Sequence, residues 1–135
     1  VDDTCGILRP ETAWHWLSLS GVDRTDQRLG LNLASGVNET FVSENSLWLN
    51  GKVIELPAVL FEQQAKNQWR IYSADGSIKL TVHTSWRRHE AKNFVVVASQ
   101  FNQWVSSISG SISCQGTTVE IEAQMGLLEQ HYARW

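Results

Sequence analysis

The sequence has few of the features that mark a secreted disulfide protein, a membrane protein or a nucleic-acid binder. Cys5 and Cys114 are the only cysteines, too few and too far apart for a disulfide framework or a zinc knuckle. Apolar stretches such as Val95–Ala98 are far shorter than the roughly 20 residues that span a bilayer. The net charge is -3, and the basic residues are scattered apart from Arg87–His89, which gives no basic face for nucleic acid. We therefore expect a cytoplasmic protein with reduced thiols, no transmembrane segment and no nucleic-acid partner.

Recognisable targeting and catalytic motifs are missing as well. Residues 1–5 are acidic and polar rather than basic and then apolar, so no secretory signal is present in them. The chain has no initiator Met, and we expect a fragment or a processed product. No nucleophile elbow, phosphate loop, dinucleotide fingerprint or zinc-protease motif occurs. Common hydrolase and nucleotide-dependent activities lose support, and we expect no cofactor and no metal.

What the sequence does contain is a succession of short strand patterns. Its 42% hydrophobic and 19% charged residues suit a folded domain, and 135 residues suffice for one core. Segments rich in β-branched and aromatic residues are separated by Gly, Asn, Asp and Ser, with no long helical periodicity. We expect residues 1–135 to form a single all-β unit.

Three hairpins are predicted from turn residues between alternating segments. The clearest spans Glu44–Leu56 around Asn50-Gly51, because Asn-Gly accepts the positive φ angles of a type I′ turn. The second joins Trp69–Tyr72 to Ile78–Val82, and the third joins Val105–Ser113 to Thr117–Ala123. Further strands are expected at Ala13–Ser20, Arg28–Ala34, Ala58–Glu62 and Asn93–Gln100, with Arg87–His89 in a solvated loop between strands. These nine or ten antiparallel strands favour a meander that curls into an up-and-down barrel.

Several short sequence segments, taken together, resemble those of one protein family. They are Ala13–Trp16, Gly30–Leu33, Glu44-Asn45 before Leu47–Lys52, and the ending Gly126–Trp135. The set resembles the C-terminal portion of a bacterial family known as domain of unknown function 2804. The resemblance implies a lipocalin-like, or calycin, barrel that is distantly similar to carotenoid hydratases and AttH-type lipocalins. It also implies that a longer protein supplies an N-terminal part, which would be a partner of this unit.

The seven tryptophans are the first candidates for a binding site. Trp14, Trp16, Trp48, Trp69 and Trp104 fall in or beside predicted strands. An indole ring buries a large apolar area and keeps an N–H donor, which suits the wall of a ligand cavity. The plain alternative is that these rings fill the core. Trp14 and Trp16 are the strongest pair, because residues two apart in a strand share a face.

His15 must point to the face opposite Trp14 and Trp16 if the segment is a regular strand. If the two tryptophans face outward, His15 points into the barrel beside Leu17 and could act as an acid, a base or a hydrogen-bond donor. A structural histidine is the alternative. The sequence leaves open which face is the cavity.

Asn32, Glu44 and Asn45 are further candidates near strand ends. Asn32 lies opposite to Leu31 and Leu33, so its amide could bind the polar group of a ligand. Glu44 could be a general acid, and Asn45 stands beside it. The alternative for the carboxylate is a solvated charge near a loop or strand end.

The C-terminal segment brings together Glu129, His131 and Arg134. In a strand Glu129 and His131 share a face, where a carboxylate could orient an imidazole or both could bind a metal. A metal would need a third ligand from His15, His83 or Glu44, so we assign none. The alternative is a latch in which Arg134 pairs with an acidic group.

Three hypotheses follow. The first is a lipocalin-like protein that binds an apolar small molecule, such as a lipid or isoprenoid, in a cavity lined by Trp14, Trp16, Asn32, Asn45, Trp48 and Arg134. The second is an enzyme that acts on an apolar substrate by acid–base chemistry, with His15, Glu44, Glu129 and His131 converging on one cavity. The third is a structural half-domain whose partner is the N-terminal part.

Overall fold

The computed structural model describes residues 11–36, 44–93 and 98–134. Within them the strands, in chain order, are β1 Glu11–Val22, β2 Arg28–Ser35, β3 Ser46–Leu49, β4 Lys52–Glu55, β5 Val59–Ala65, β6 Gln68–Ser73, β7 Ile78–Asn93, β8 Ala98–Cys114 and β9 Thr117–Arg134. They form one antiparallel sheet in the order β4-β3-β2-β1-β9-β8-β7-β6-β5. Apart from the β1–β9 pair, every pair of neighbours is sequential, so the sheet is a meander that curls until β2 and β5 come into contact. The predicted all-β, antiparallel fold is confirmed as a half-barrel.

The three predicted hairpins form where the turn residues indicated. Asn50 and Gly51 connect β3 to β4 with φ angles of 49° and 80°, as a type I′ turn requires. Gln115 and Gly116 connect β8 to β9 with φ angles of 48° and 76°. All four positions have a left-handed backbone, which Asn and Gly adopt at low cost and Gln115 at a higher one. Local turn chemistry therefore fixes the registers of these two hairpins.

One face of the sheet, called here the inner face, carries the core, and the opposite face is called the outer face. Alternation within each strand sends every second side chain inward. The buried apolar side chains include Leu17, Leu19, Leu31, Leu33, Leu47, Ile71, Ile78, Leu80, Val82, Ile108, Ile112, Val119, Ile121 and Leu128. This core fills one end of the half-barrel.

The three longest strands run past the core. β7, β8 and β9 contain 16, 17 and 18 residues, whereas β3 and β4 contain four each. The expected loop at Arg87–His89 is wrong, because these residues pair with Asn102–Trp104 inside β7 and β8. Asn93 in β7 pairs with Ala98 in β8, and residues 94–97 of the expected strand Asn93–Gln100 lie outside the described residues, as does Cys5.

A bulge separates the core part of β7 from its extension. Thr84 pairs with Ser106 and Arg87 pairs with Trp104, so β7 has one more residue than β8 in this interval. The hydroxyl of Ser85 donates a hydrogen bond to the carbonyl of Val105, and the N–H of Thr84 donates to the carbonyl of Asn67 in the β5–β6 turn. The bulge brings Arg87 back to the inner face and ties β7 to the β5–β6 turn.

Candidate functional site

The inner face changes from apolar to polar beyond the core. Leu17 pairs with Leu128 on β1 and β9, and the next inward pair is His15 with Gln130. On the neighbouring strand β8, Trp104 pairs with Leu128 and Asn102 pairs with Gln130, so they lie in the same two layers. The inner face of the long strands therefore becomes a surface of imidazole, amide and indole groups.

A cleft of about 460 Å³ lies on this polar part of the inner face. Its lining comes from β5, the β5–β6 turn, β7, β8 and β9, and consists of Gln63, Lys66, Asn67, Ser85, Arg87, Asn102, Trp104 and Gln130. This volume lies within the range of roughly 300–1,000 Å³ that small-molecule sites occupy. The cleft is therefore large enough to be a candidate binding site.

His15 lies between the apolar core and this cleft. Its ring stacks on Phe61 with 5.4 Å between centroids and lies 5.4 Å from the ring of Trp69. Burial lowers the pKa of His15 below its ordinary value, which favours the neutral imidazole at pH 7. The amide nitrogen of Gln130 lies 3.3 Å from His15 Nε2, and an amide N–H can only donate, so His15 Nε2 accepts. A neutral, accepting imidazole thus holds one of the side chains that line the cleft.

Aromatic and amide groups form the walls around His15. The ring of Trp104, which lines the cleft, lies 6.0 Å from the buried ring of Trp69. The carbonyl oxygen of Asn102 lies 2.7 Å from His89 Nδ1, which must therefore be the donor. The Asn102 amide nitrogen has no partner among the described residues and can donate to a ligand.

The outer face at the same height carries a different cluster. Trp14 stands opposite His131, with 3.8 Å between ring centroids and an edge-to-face angle of 81°. Ser99 Oγ lies 2.9 Å from His131 Nε2, and Phe101 packs edge-on against the same imidazole. Burial lowers the pKa of His131 too. A smaller hollow of about 210 Å³ lies against this group.

Glu129 and Trp16 pair on this outer face as well, each with its own hydrogen bond. The amide of Gln103 donates to Glu129 Oε1 at 2.5 Å, and the indole N–H of Trp16 donates to Asn32 Oδ1 at 2.6 Å. The amide of Asn32 donates in turn to the backbone carbonyl of Glu44 at 3.0 Å. Trp16, Asn32 and the Glu44 backbone thus form a chain of hydrogen bonds across β1, β2 and the segment just before β3.

The remaining predicted residues lie apart from the cleft. Asn45 is 1% exposed, and its amide joins the N–H of Ala34, at 2.7 Å, to the carbonyl of Pro57, at 2.9 Å. Trp48 is 41% exposed on the outer face, and Arg134 is exposed at the end of β9. Asn45 therefore serves the backbone of the β2–β3 and β4–β5 connections.

The four predicted acid–base residues do not come together. His15 is on the inner face, Glu129 and His131 are on the outer face, and Glu44 is exposed before β3. Within the described residues, no group of three or more His, Cys, Asp or Glu side chains could hold a metal ion. No helix in the same part of the chain is long and apolar enough to cross a bilayer.

Sequence reasoning missed most of the cleft. The sequence distinguishes Trp104 only as one of several tryptophans and Arg87 only as part of a basic run. Lys66, Asn67, Asn102 and Gln130 carry no motif and come from three different elements, the β5–β6 turn, β8 and β9. The spacing of Gln130 from Leu128 on one side of β9 is the signal that could have placed that residue on the inner face.

Comparisons with known proteins give a family and no further relative. The sequence model of the family described as "Domain of unknown function (DUF2804)" matches residues 1–135. No curated protein and no solved structure matches the chain.

Proposed function

The chain belongs to the DUF2804 family, and from that premise we propose that it binds a small molecule with an apolar body, of lipid or isoprenoid type, in the inner cleft. The observation that carries this proposal is a cleft of about 460 Å³ with Trp104 in its wall. Behind Trp104 lie the rings of Trp69, His15 and Phe61, which pack against one another outside the lining of the cleft. Trp104 supplies the apolar part of the lining, and the other described lining residues supply polar groups that would orient the ligand.

The location differs from the one expected for the tryptophans. Trp14 and Trp16 lie on the outer face, so the indole in the wall of the cleft is that of Trp104, with Trp69 packed behind it. An indole wall supplies a rigid apolar surface at little cost in conformational entropy. Trp104 should therefore contribute more to binding than any single polar group of the rim.

The two other hypotheses have less support. An acid–base enzyme needs its proton-transfer groups within hydrogen-bond reach of one substrate, and His15 is separated by the sheet from Glu129 and His131. Contact with an N-terminal part stays a prediction. The described sheet ends at β4 and β5, which expose Val53 and Leu60, and such edges can pair with another segment.

The test uses N-phenyl-1-naphthylamine, a neutral apolar dye that becomes fluorescent in an apolar environment. The intact protein should bind the dye, and Trp104→Ala should weaken binding about tenfold or more, because a central aromatic anchor commonly contributes over 1.4 kcal/mol. Trp48→Ala removes an indole from the outer face and is the matched control. Native mass spectrometry with lipid extraction would identify a natural ligand of the same site.

Folding of each variant is checked by circular dichroism before binding is compared. If folded Trp104→Ala binds the dye as tightly as the unchanged protein, the inner cleft is not the binding site. If Trp48→Ala is the variant that loses binding, the ligand belongs on the outer face.

A further inference from the structure

We propose that the ligand of the inner cleft carries an anionic head group, a carboxylate or a phosphate, which Arg87 and Lys66 bind at the rim. This inference rests on the proposed function, because it assigns chemistry to one end of a ligand held in that cleft. Arg87 reaches the rim from β7 and Lys66 from the β5–β6 turn.

The charge around the cleft is opposite in sign to that of the chain. The protein has a net charge of -3. The described residues that line the cleft, in contrast, include two cations and no carboxylate. A concave site with cations alone attracts anions and raises their local concentration. The lining therefore selects against cationic ligands and favours anionic ones.

No carboxylate of the described residues neutralises the two cations of the cleft. Arg88 points to the outer face, where it forms an ion pair with Glu90. Among the described residues Arg87 and Lys66 have no such acidic partner. An unpaired guanidinium at a rim can bind a carboxylate or phosphate through two parallel hydrogen bonds.

The polar groups around these cations add hydrogen-bond donors. Asn102 uses its carbonyl oxygen to accept from His89 and keeps its amide N–H groups for a ligand. The side chain of Asn67 also lines the cleft. Donors beside two cations match the acceptor-only oxygens of a carboxylate or a phosphate ester.

Two buried polar atoms beside the cleft are an independent observation. Trp69 Nε1 and Thr84 Oγ1 are buried and have no hydrogen-bond partner in the described structure. Trp69 is 3% exposed and packs against Trp104, while the N–H of Thr84 is bonded to Asn67, which lines the cleft. Buried polar groups are nearly always paired, so these two atoms beside the cleft call for a partner, such as an ordered water or a bound group.

Three probes with the same alkyl chain test the inference on the intact protein. Decanoate and decyl phosphate carry anionic heads, and decan-1-ol is neutral. Each is measured by displacement of N-phenyl-1-naphthylamine, below the concentration at which it forms micelles. At least one anion should bind about tenfold or more tightly than the alcohol, and the preferred anion identifies the head group as carboxylate or phosphate.

Matched variants connect the preference to the rim. Arg87→Gln and Lys66→Gln should each reduce anion affinity and leave decan-1-ol unchanged. Arg88→Gln is the control, because it removes the same charge one residue away on the outer face. Added salt should weaken the anion but not the alcohol.

The outcomes separate this inference from the proposed function. If decan-1-ol binds as tightly as both anions, or if Arg88→Gln has the same effect as Arg87→Gln, the anionic head group is wrong and the apolar cleft stands. If none of the three alkyl probes displaces the dye, the proposed function fails and the inference fails with it.

Discussion

Two successive layers of the β1–β9 ladder have the same backbone pairing, but one belongs to the buried core and the other lies beside the cleft. In one layer Leu17 faces Leu128, and both side chains are fully buried. In the next layer His15 faces Gln130, and both are only partly buried beside the cleft. Because antiparallel pairing continues through both layers, the backbone does not decide which layer is core. The boundary between core and cleft is set by the side chains alone.

Stability and ligand binding depend on different ends of the same strands. The closed end buries a continuous set of Leu, Ile and Val side chains, and such burial is the main favourable term in folding. The open end pairs its backbone but leaves its inward side chains in contact with solvent. Substitutions at the open end should therefore change ligand affinity more than the free energy of unfolding.

The largest expected effect comes from the core layer. Leu128→Ala removes a fully buried side chain, and we expect the free energy of unfolding to fall by about 2–5 kcal/mol. Gln130→Ala, two residues later on the same face, should cost about 1 kcal/mol or less, since it removes one hydrogen bond at a partly exposed site. Urea unfolding followed by circular dichroism measures both.

Equal losses in the two variants would show that the two layers contribute equally to stability. A large loss in Gln130→Ala would mean that the polar layer is part of the cooperative core. Dye binding measured on the same proteins provides a second check, because only Gln130 lines the cleft.

A smaller effect is expected from Asn45, the buried polar residue that joins two connections. Asn45→Ala leaves the N–H of Ala34 and the carbonyl of Pro57 without this partner, and we expect a loss of roughly 2 kcal/mol. Asn67→Ala is the matched control, because Asn67 is exposed in the β5–β6 turn and should change stability by no more than about 0.5 kcal/mol. Dye binding should survive in Asn45→Ala. If a folded Asn45→Ala variant loses dye binding, Asn45 belongs to the ligand site, as the sequence suggested.

Much of the fold could be predicted because its signals are local. Asn50-Gly51 and Gln115-Gly116 define their turns without reference to the rest of the chain, and the alternation of Val119 and Ile121 with Glu120 and Glu122 marks a strand with one buried face. The extension of β7 was missed because Arg87–Lys92 has no apolar alternation. A strand with solvent on one side and an open cleft on the other needs no apolar side chain on either face.

The site was harder to predict than the fold. Alternation placed His15 with Leu17 and opposite Trp16, but the sequence did not show which set faced the core. The bulge at Ser85 and Trp86 shifts the phase of β7, so counting by twos from Val82 would put Arg88 rather than Arg87 on the inner face. Lys66 and Asn67 come from a turn whose position depends on the curl of the whole sheet.

The smallest expected effect is a pH dependence of stability from His15. Burial lowers its folded-state pKa below the ordinary value of 6.5, so the unfolded chain binds a proton more readily than the folded protein does. Stability should therefore be unaffected by this group well above pH 6.5. It should fall as the pH drops below 6.5 and level off once the pH passes below the folded-state pKa. Urea unfolding between pH 7.5 and pH 5 would follow this change.

His15→Phe should remove part of that pH dependence and keep the contact with Phe61, and the part that remains includes the same effect at His131, whose pKa burial also lowers. His83→Phe is the control, since His83 is exposed on the outer face of β7. If the two variants keep equal pH dependence, the imidazole of His15 is solvated in solution. The layer of His15 and Gln130 is then more exposed to solvent than its position next to the buried Leu17–Leu128 layer indicates. If only His15→Phe flattens the profile, the imidazole of His15 is shielded enough to resist protonation, whereas its pair partner Gln130 faces the cleft. The boundary between core and cleft then lies at His15.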